Sequence, residues 1–382
     1  MLHDAFAITA PGLEAITAAE LRALGLGPAT PETGGVAFRA TAGGLYAANL
    51  RLRTASRVVV RVAEFPARAF YELERRAARV PWERFVAPGS PAAFRVTCRK
   101  SRLYHSDAVA QRLHAAAARA GATVGVAATD EEGEDEAAVR PAGGGAQLFV
   151  VRLLHDVVTI SVDSSGALLH RRGYRQAIGR APLRETLAAA MLLASRWQPD
   201  RPLVDPLCGS GTIAIEAALL ARRIAPGLQR AFAFQRWPEF DAGVWAGEVA
   251  RAESEALDAA PAPIVGSDRD SGAVAAAVAN ADRAGVAADL LLVQRSLSAL
   301  EPPPGPGWLV TNPPWGARVG EADRLRDLYA RLGQVARTRC PGWTVALLSA
   351  DPRLESQTGL PLAERFRTTA GGLRVRLVAG VA

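Results

Sequence analysis

Cysteine and lysine are scarce in this chain, and long apolar runs are absent. Its three cysteines, Cys98, Cys208 and Cys340, lie far apart among 382 residues. This spacing fits neither a disulfide framework nor a zinc site, so we expect no metal and a reducing, cytoplasmic environment without a secretory signal. The longest apolar helical run, residues 187–194, is far shorter than the roughly 20 residues that span a membrane. We therefore expect no membrane partner.

Positive charge comes almost entirely from arginine, because Lys100 is the only lysine. Residues 1–180 hold 23 basic and 17 acidic side chains, whereas residues 181–382 hold 22 and 21. Six of the acids in the first half lie together in residues 130–136, so the rest of that half is strongly basic. A basic half beside a near-neutral half favours a nucleic-acid-binding module joined to a catalytic one. A solvated basic surface without a partner is the alternative.

The pattern of apolar residues divides the chain into an α+β part and an α/β part. Residues 1–65 and 66–164 each mix short strands with amphipathic helices, and an acidic, glycine-rich stretch at 130–145 predicts an exposed loop. A basic connector occupies residues 165–181. From residue 182 onward strands alternate with helices, which is typical of a mainly parallel sheet covered on both faces. The predicted strands there are 203–207, 264–268, 290–294, 308–311 and 344–349, followed by a hairpin at 366–378.

The loop after the first of these strands is suited to bind an anionic or nucleoside-like ligand. Gly209 and Gly211 permit a sharp turn and a close approach to a ligand, and the following helix presents unpaired N–H groups. The loop lacks both the nicotinamide glycine fingerprint and the Walker lysine, which argues against a dehydrogenase and a P-loop ATPase. Asp268, at the end of the next strand, is placed to accept hydrogen bonds from ribose hydroxyls. Alternatively it caps a helix, a role that Asp270 or Ser271 fills equally well.

The most informative stretch is Asn312-Pro313-Pro314-Trp315, which follows an apolar run predicted as a buried strand. Such a turn suits alkylation of an amine on a planar, conjugated ring, whose lone pair is delocalised into that ring. The amide oxygen of Asn312 and the carbonyl of Pro313 can accept hydrogen bonds from the amine and turn its lone pair outward. The indole of Trp315 offers a face on which a flat base stacks. A rigid turn with a core tryptophan is the alternative.

Several segments resemble the S-adenosylmethionine-dependent THUMP-domain RNA methyltransferases, in particular the subgroup that methylates guanine N2 in ribosomal or transfer RNA. In the second half they are residues 205–212, 234–241, 266–268 and 311–318. Residues 169–175 and 181–190 around the connector, and residues 94–101 in the first half, are also similar. The resemblance covers most of the chain and is looser in the first 65 residues.

The resemblance implies an α/β fold with three domains. Residues 182–382 would form a Rossmann-like class I methyltransferase domain with a mainly parallel seven-stranded sheet. A ferredoxin-like domain at 1–65 and a THUMP RNA-binding domain at 66–164 would precede it, joined by the connector at 165–181. We expect a monomer.

The resemblance also implies S-adenosylmethionine as the cofactor and the residues that bind it. The predicted donor site comprises Asp205, Cys208, Gly209, Ser210, Gly211, Thr212, Asp268, Arg269 and Ser296, and the predicted catalytic turn comprises Asn312, Pro313, Pro314 and Trp315. Cys208 is interpreted as a small packing residue beside the loop rather than a catalytic thiol. Many relatives carry an acid that contacts the adenine amino group where this chain has Gln294-Arg295-Ser296, so Ser296 or a backbone carbonyl is expected to replace it.

The predicted RNA-binding residues form two basic groups and one isolated arginine, and for each the alternative is a solvated charge. They are Arg99, Lys100 and Arg102; Arg171, Arg172, Tyr174 and Arg175; and Arg318. Several alternatives for the substrate remain open. Similar turns serve enzymes that methylate adenine N6, cytosine N4 or protein glutamine, although the basic half favours nucleic acid. Within the family, ribosomal and transfer RNA are not separated by the sequence, and an RNA-binding protein with an inactive methyltransferase fold is the non-enzymatic interpretation.

Overall fold

The computed structural model of the chain describes residues 2–125, 145–175, 183–315 and 322–382. The predicted loop at 130–145 therefore lies almost wholly outside the described residues, and so does Arg318. The first half contains the strands β1 (His3–Thr9), β2 (Thr30–Glu32), β3 (Gly35–Ala40), β4 (Ala55–Pro66), β5 (Pro91–Arg99), β6 (Thr123–Val124), β7 (Gln147–Leu154) and β8 (Val157–Asp163). Its helices are α1 (Glu14–Ala23), α2 (Ala42–Arg51), α3 (Phe70–Ala77) and α4 (Ser106–Arg119).

All eight of these strands belong to one sheet, in the order β2-β3-β1-β4-β8-β7-β5-β6. Strand β4 pairs antiparallel with β1 on one side and with β8 on the other. The boundary predicted at residue 65 lies inside this strand, so the first two units share a continuous sheet. Strand β4 is therefore the structural element that holds the two units together.

The second half contains the strands β9 (Leu203–Asp205), β10 (Ile264–Asp268), β11 (Leu290–Gln294), β12 (Trp308–Thr311), β13 (Thr344–Ser349), β14 (Ala363–Ala370) and β15 (Leu373–Val381). Its helices are α5 (Glu185–Ala194), α6 (Thr212–Ala221), α7 (Ala242–Ser254), α8 (Ser271–Ala284), α9 (Ala322–Arg339) and α10 (Pro352–Gln357).

The second sheet has seven strands in the order β11-β10-β9-β12-β13-β15-β14, and only β15 runs antiparallel to its neighbours β13 and β14. The central strands are apolar and buried because helices cover both faces. This confirms the predicted α/β fold of the class I methyltransferase type. In the described ranges no helix is both long enough and apolar enough to cross a membrane.

An aromatic segment of the second half completes the core of the first. Phe232, Phe234 and Trp237 lie buried among side chains of the amino-terminal sheet. Phe234 stacks on Tyr46 with ring centroids 4.4 Å apart, and Trp237 Nε1 donates to Gln147 Oε1 at 2.8 Å. The segment leads into α7, which packs on α2. Sequence patterning had indicated neither of these two helices.

Candidate active site

Three of the predicted segments meet at the carboxyl edge of the second sheet. Strand β9 lies between β10 and β12, and all three run parallel. Their ends therefore place Asp205, Asp268 and Asn312 on neighbouring strands. The strand order reverses at β9, because β10 and β11 lie on one side of it and β12 and β13 on the other. Open parallel sheets bind ligands at such a reversal point. Among the residues that the structure describes, no cluster of His, Cys, Asp and Glu could hold a metal ion.

The glycine loop between β9 and α6 leaves space for a ligand on one side and packs tightly on the other. Gly211 has φ +83°, and a Cβ there would lie 2.9 Å from the Cβ of Ala277 on α8. Gly209 has φ +51°, and a Cβ there would meet no atom within 4 Å. The loop thus rests on α8 through Gly211 and opens to free space at Gly209. Helix α6 begins at Thr212 and directs its first N–H groups toward the loop.

Asp268 holds the glycine loop in place. Its Oδ2 accepts a hydrogen bond from Gly209 N at 3.0 Å, and its Oδ1 accepts one from Asp270 N at 3.0 Å. The cap of α8 is instead Asp270, whose side chain accepts from Gly272 N and Ala273 N. The helix-cap alternative for Asp268 is therefore wrong. A carboxylate at the end of β10, half-buried beside the open side of the loop, fits the hydroxyl groups of a nucleoside.

Asp205 is buried at the end of β9 and connects the glycine loop to the predicted catalytic turn. Its Oδ1 accepts hydrogen bonds from Thr311 Oγ1 at 2.7 Å and from Leu207 N at 3.2 Å. Burial raises the pKa of Asp205 from 3.8 to about 7, although the Thr311 hydroxyl opposes the shift. A cationic group of a ligand placed here would lower that pKa again.

The predicted catalytic turn has one distinctive polar atom. Asn312 Oδ1 is buried, and it accepts no hydrogen bond from any residue that the structure describes. Trp315 Nε1 donates to the carbonyl of Leu348 at 3.0 Å, and its half-buried ring packs against the core. The indole is thus anchored on β13, while the amide oxygen of Asn312 remains available as an acceptor. Pro313 is buried and Pro314 is exposed, so the turn lies at the surface of the sheet edge.

Cys208 and its neighbours support the packing interpretation of this thiol. Its side chain is buried against Gly266, where a Cβ would lie 3.3 Å from the Cβ of Cys208. Burial, and then the nearby Asp205 and Asp268 carboxyls, raise the pKa of the thiol far above its usual value. Cys208 is therefore a neutral thiol and a poor nucleophile.

Arg269 and Ser296 lie at the rim of the predicted donor site and are both exposed. The carbonyl of Arg269 accepts from Gln294 Nε2 at 3.2 Å, and the carbonyl of Asp268 accepts from Arg295 N at 2.8 Å. These bonds bring the end of β11 next to Asp268. The contacts predicted for Arg269 and Ser296 stay predictions.

Sequence reasoning missed a chain of hydrogen bonds that supports the glycine loop from behind. Arg283 Nε donates to the carbonyl of Tyr174 at 2.7 Å, and Arg283 Nη2 donates to Asn280 Oδ1. Asn280 Nδ2 in turn donates to the carbonyl of Ser210 at 3.1 Å. Asn280 and Arg283 lie one turn apart on α8, and only their placement on a predicted helix after Asp268 could have suggested them. This series of hydrogen bonds links the connector to the glycine loop.

The structure corrects the phosphate-binding role predicted for most of the connector. Arg172 is only 3% exposed at its side chain, pairs with Glu216 at 3.5 Å and donates to the carbonyls of Leu169 and Arg53. Tyr174 is buried too, and its hydroxyl donates to Glu216 Oε1 at 3.1 Å. A phosphate cannot reach these groups, because they are buried in the protein and already have partners.

Arg175 is also buried and paired, whereas Arg171, Arg99, Lys100 and Arg102 keep more exposed side chains. Its side chain is 3% exposed and forms a bidentate pair with Glu185, at 3.0 and 2.6 Å. Arg171 is half-exposed. Arg99, Lys100 and Arg102 are all exposed at and just beyond the end of β5. The exposed group remains compatible with RNA contacts.

Comparison with known proteins shows two matching families. Residues 172–376 match the family described as RMKL-like, methyltransferase domain, and residues 4–59 match the RlmL ferredoxin-like domain. The chain is 36% identical over 377 residues to slr0064 of Synechocystis sp., named as a proposed RNA methyltransferase, and the match covers 98% of this chain and 95% of that protein.

A second relative is longer than this chain. The ribosomal RNA large subunit methyltransferase K/L of Syntrophotalea carbinolica is 38% identical over 390 residues, which cover 98% of this chain and 53% of the relative. The chain thus spans about half the length of that relative. Among solved structures, SMU.472, a methyltransferase candidate complexed with SAH, has a TM-score of 0.86 and 31% identity, and the match covers 100% of this chain and 98% of that one.

Proposed function

The chain belongs to the RMKL-like methyltransferase family, and from that membership we propose that it is an S-adenosylmethionine-dependent RNA methyltransferase acting on the exocyclic N2 of a guanosine in 23S ribosomal RNA. The names of its relatives support RNA methylation, and SAH in the related structure supports the methyl donor. Guanine N2 as the methylated position and 23S ribosomal RNA as the substrate are our own proposals.

The observation that carries the proposal is the buried Oδ1 of Asn312 at the end of β12, which accepts no hydrogen bond within the described part of the chain. A buried acceptor without a donor is destabilising by about 1–3 kcal/mol, so it is expected to have a ligand partner. An amino group has the required hydrogen atoms, and Asn312 directly follows β12, the strand that pairs with β9 before the glycine loop. An amine bound to Asn312 would therefore lie near the donor site.

The glycine loop fits the donor. The open space at Gly209 would admit its methionine portion, and the Asp268 carboxylate would accept hydrogen bonds from its ribose. When bound, S-adenosylmethionine supplies an electrophilic methyl group. Asp205 would balance the positive charge of the donor's amino group. That charge would favour the ionised carboxylate of Asp205, which burial disfavours. Ser210, Thr212, Arg269 and Ser296 remain proposed contacts of the same ligand.

The role of the catalytic turn is to orient the target amine. Asn312 Oδ1 and the Pro313 carbonyl accept hydrogen bonds from the two N–H groups of the amine and direct its lone pair away from the ring. Positioning of this kind is a large part of catalysis when the electrophile is already reactive. Asn312 is neutral and takes up no proton, so the surplus proton leaves to water. Trp315, fixed by the Leu348 carbonyl, offers its ring to the base.

The first half serves as the RNA-binding part in this proposal. We infer that residues 66–164 act as a THUMP module behind the ferredoxin-like domain at 1–65, with the methyltransferase domain at 182–382. Arg99, Lys100 and Arg102 would bind phosphates, with Arg171 at the edge of the connector. Arg318 beyond the catalytic turn remains a proposed contact of the target nucleotide.

The test is to identify the product. Total RNA from a strain that lacks this protein is incubated with purified enzyme and isotope-labelled S-adenosylmethionine, and the labelled nucleoside and RNA species are identified by mass spectrometry. We expect N2-methylguanosine in 23S RNA, and its loss in Asn312→Ala with unchanged SAH binding. Label in transfer RNA would select the alternative RNA, and N6-methyladenosine would contradict the base. Full activity of Asn312→Ala would refute its role, and SAH binding without methylation of any RNA would support the inactive fold.

A further inference from the structure

A single acidic residue organises a basic surface in the first half of the chain. Asp156 lies in the tight turn between β7 and β8, where His155 and Asp156 both have positive φ, +51° and +63°. The Asp156 carbonyl accepts from Ala67 N at 2.8 Å, and its Oδ1 accepts from Arg102 N at 2.7 Å. Its own N–H donates to Ser101 Oγ at 3.0 Å. One turn thereby holds together the segment before α3 and the loop between β5 and α4.

The segment held on one side of Asp156 forms an arginine-lined pocket. The pocket has a volume of about 420 Å³ and is lined by Arg68, Arg75, Arg76 and His155. Arg75 and Arg76 lie on α3 and Arg68 precedes the helix, and all three contribute to the lining of this pocket. Arg68 pairs with Asp156 at 3.5 Å, yet its side chain stays 68% exposed. Glu72 is the second acid here, so cations outnumber anions.

The loop held on the other side adds Arg99, Lys100 and Arg102, which are all exposed. Because Arg102 is bonded directly to Asp156, this second group borders the pocket. The two groups form one positively charged surface of six cations. Such a surface suits a chain of phosphates rather than a single anion.

Two tyrosines distinguish this surface from an ordinary charged face. Tyr71 and Tyr104 are 66% and 69% exposed, and no other Phe, Tyr or Trp side chain in the described ranges is widely exposed. The Tyr71 hydroxyl donates to Glu72 Oε1 of the pocket at 3.2 Å. Tyr104 follows Arg102 by two residues, and its ring contacts that of His105 with centroids 4.0 Å apart. Both rings therefore lie beside the cations.

We propose that this surface binds a single-stranded segment of the RNA substrate, with phosphates on the arginines and unpaired bases stacked on Tyr71 and Tyr104. Paired bases hide their faces inside the helix, so exposed rings beside cations select unpaired nucleotides. This inference rests on the proposed RNA methyltransferase function and adds the structural class of the RNA that the first half recognises. It assigns roles to Arg68, Arg75, Arg76 and both tyrosines.

The test measures binding of a fluorescently labelled single-stranded RNA and of a hairpin duplex of matched composition at several salt concentrations. We expect Tyr71→Ala and Tyr104→Ala to weaken single-strand binding about 5- to 30-fold with an unchanged salt slope, and Tyr104→Phe to bind like the original protein. Arg75→Gln and Arg76→Gln should each flatten the logarithmic salt slope by about 0.7. Arg119→Gln is the control, because Arg119 is exposed at the opposite end of α4.

Calorimetric titration with SAH shows whether each variant keeps a functional donor site, and thermal unfolding shows whether each variant is folded. If the tyrosine-to-alanine variants bind single-stranded RNA as tightly as the original protein, the proposal is overturned. Tighter binding of the duplex than of the single strand would overturn it as well. If the variants show that this surface does not bind single-stranded RNA, but the enzyme still methylates RNA, the proposed function stands. If the original protein neither methylates nor binds any RNA, the proposed function fails first.

Discussion

Thr311 Oγ1 donates a 2.7 Å hydrogen bond to Asp205 Oδ1, and both side chains are buried. Thr311 immediately precedes Asn312 at the end of β12, whereas Asp205 begins the glycine loop at the end of β9. The bond therefore couples the positions of the amine-binding turn and the donor loop. Methyl transfer depends on this alignment, because small displacements of the reacting groups slow a reaction strongly.

Replacing Thr311 by valine tests this coupling, since valine keeps the shape and removes the hydroxyl. We expect the loss of one buried hydrogen bond to lower stability by about 1–3 kcal/mol and to lower kcat more than it changes the KM for the donor. Thermal unfolding and steady-state kinetics measure the two effects. Thr311→Ser retains the hydroxyl and should restore kcat. Normal kcat in Thr311→Val would show that the bond plays no part in alignment.

The raised pKa of Asp205 predicts a dependence of stability on pH. Its pKa is about 7 in the folded chain against 3.8 ordinarily, so folding takes up a proton between these values. The stability contribution of this group is therefore fully present below about pH 4 and is lost as the pH rises through about 7. Without ligand, Asp205→Asn should unfold roughly 2–4 °C higher than the original protein near pH 8. The difference should shrink toward pH 5.

The same variant should bind SAH more weakly, because the neutral amide cannot balance the ligand's amino group. A melting temperature of Asp205→Asn that differs from the original by the same amount at every pH would mean that Asp205 does not titrate in this range.

Asp268 and Asp270 form a matched pair for separating ligand binding from helix capping. Asp268 holds Gly209 N, whereas Asp270 caps α8. We expect Asp268→Ala to raise the Kd for SAH about 10- to 100-fold, since bonds to a charged acceptor are worth about 1.5–3 kcal/mol. Asp270→Ala should lower stability by about 1 kcal/mol without changing that Kd. Calorimetry and thermal unfolding separate them, and equal Kd values in both variants would remove Asp268 from the donor site.

Arg172 and Lys100 were both predicted to bind phosphate, but they lie in opposite environments. Arg172→Gln removes the cation that pairs with buried Glu216 and should destabilise the fold by about 3–5 kcal/mol while leaving the salt dependence of RNA binding unchanged. Lys100→Gln, at an exposed position, should flatten the logarithmic salt slope for single-stranded RNA by about 0.7 with little effect on stability. RNA titrations in increasing salt, paired with melting curves, test both. A flattened slope for Arg172→Gln would contradict its burial.

Local patterns predicted a mainly parallel sheet and where its strands lie along the chain, because β9, β10 and β12 are apolar and end in short polar motifs. The glycine spacing and Asp268 also indicated the donor site, because loop geometry and strand ends depend on residues that are neighbours in sequence. Asn312 was identified from four consecutive residues.

The amino-acid sequence by itself determined the class of fold and the three strand ends that meet at the candidate site. Only the tertiary structure decided which arginines face solvent, because burial depends on residues distant in the chain. Thus Arg172 and Arg175, basic in sequence, are paired inside the protein with Glu216 and Glu185. Likewise, Arg68, Tyr71 and Tyr104 are ordinary surface residues in sequence, and only the structure shows that the turn at Asp156 bonds to both segments that carry them.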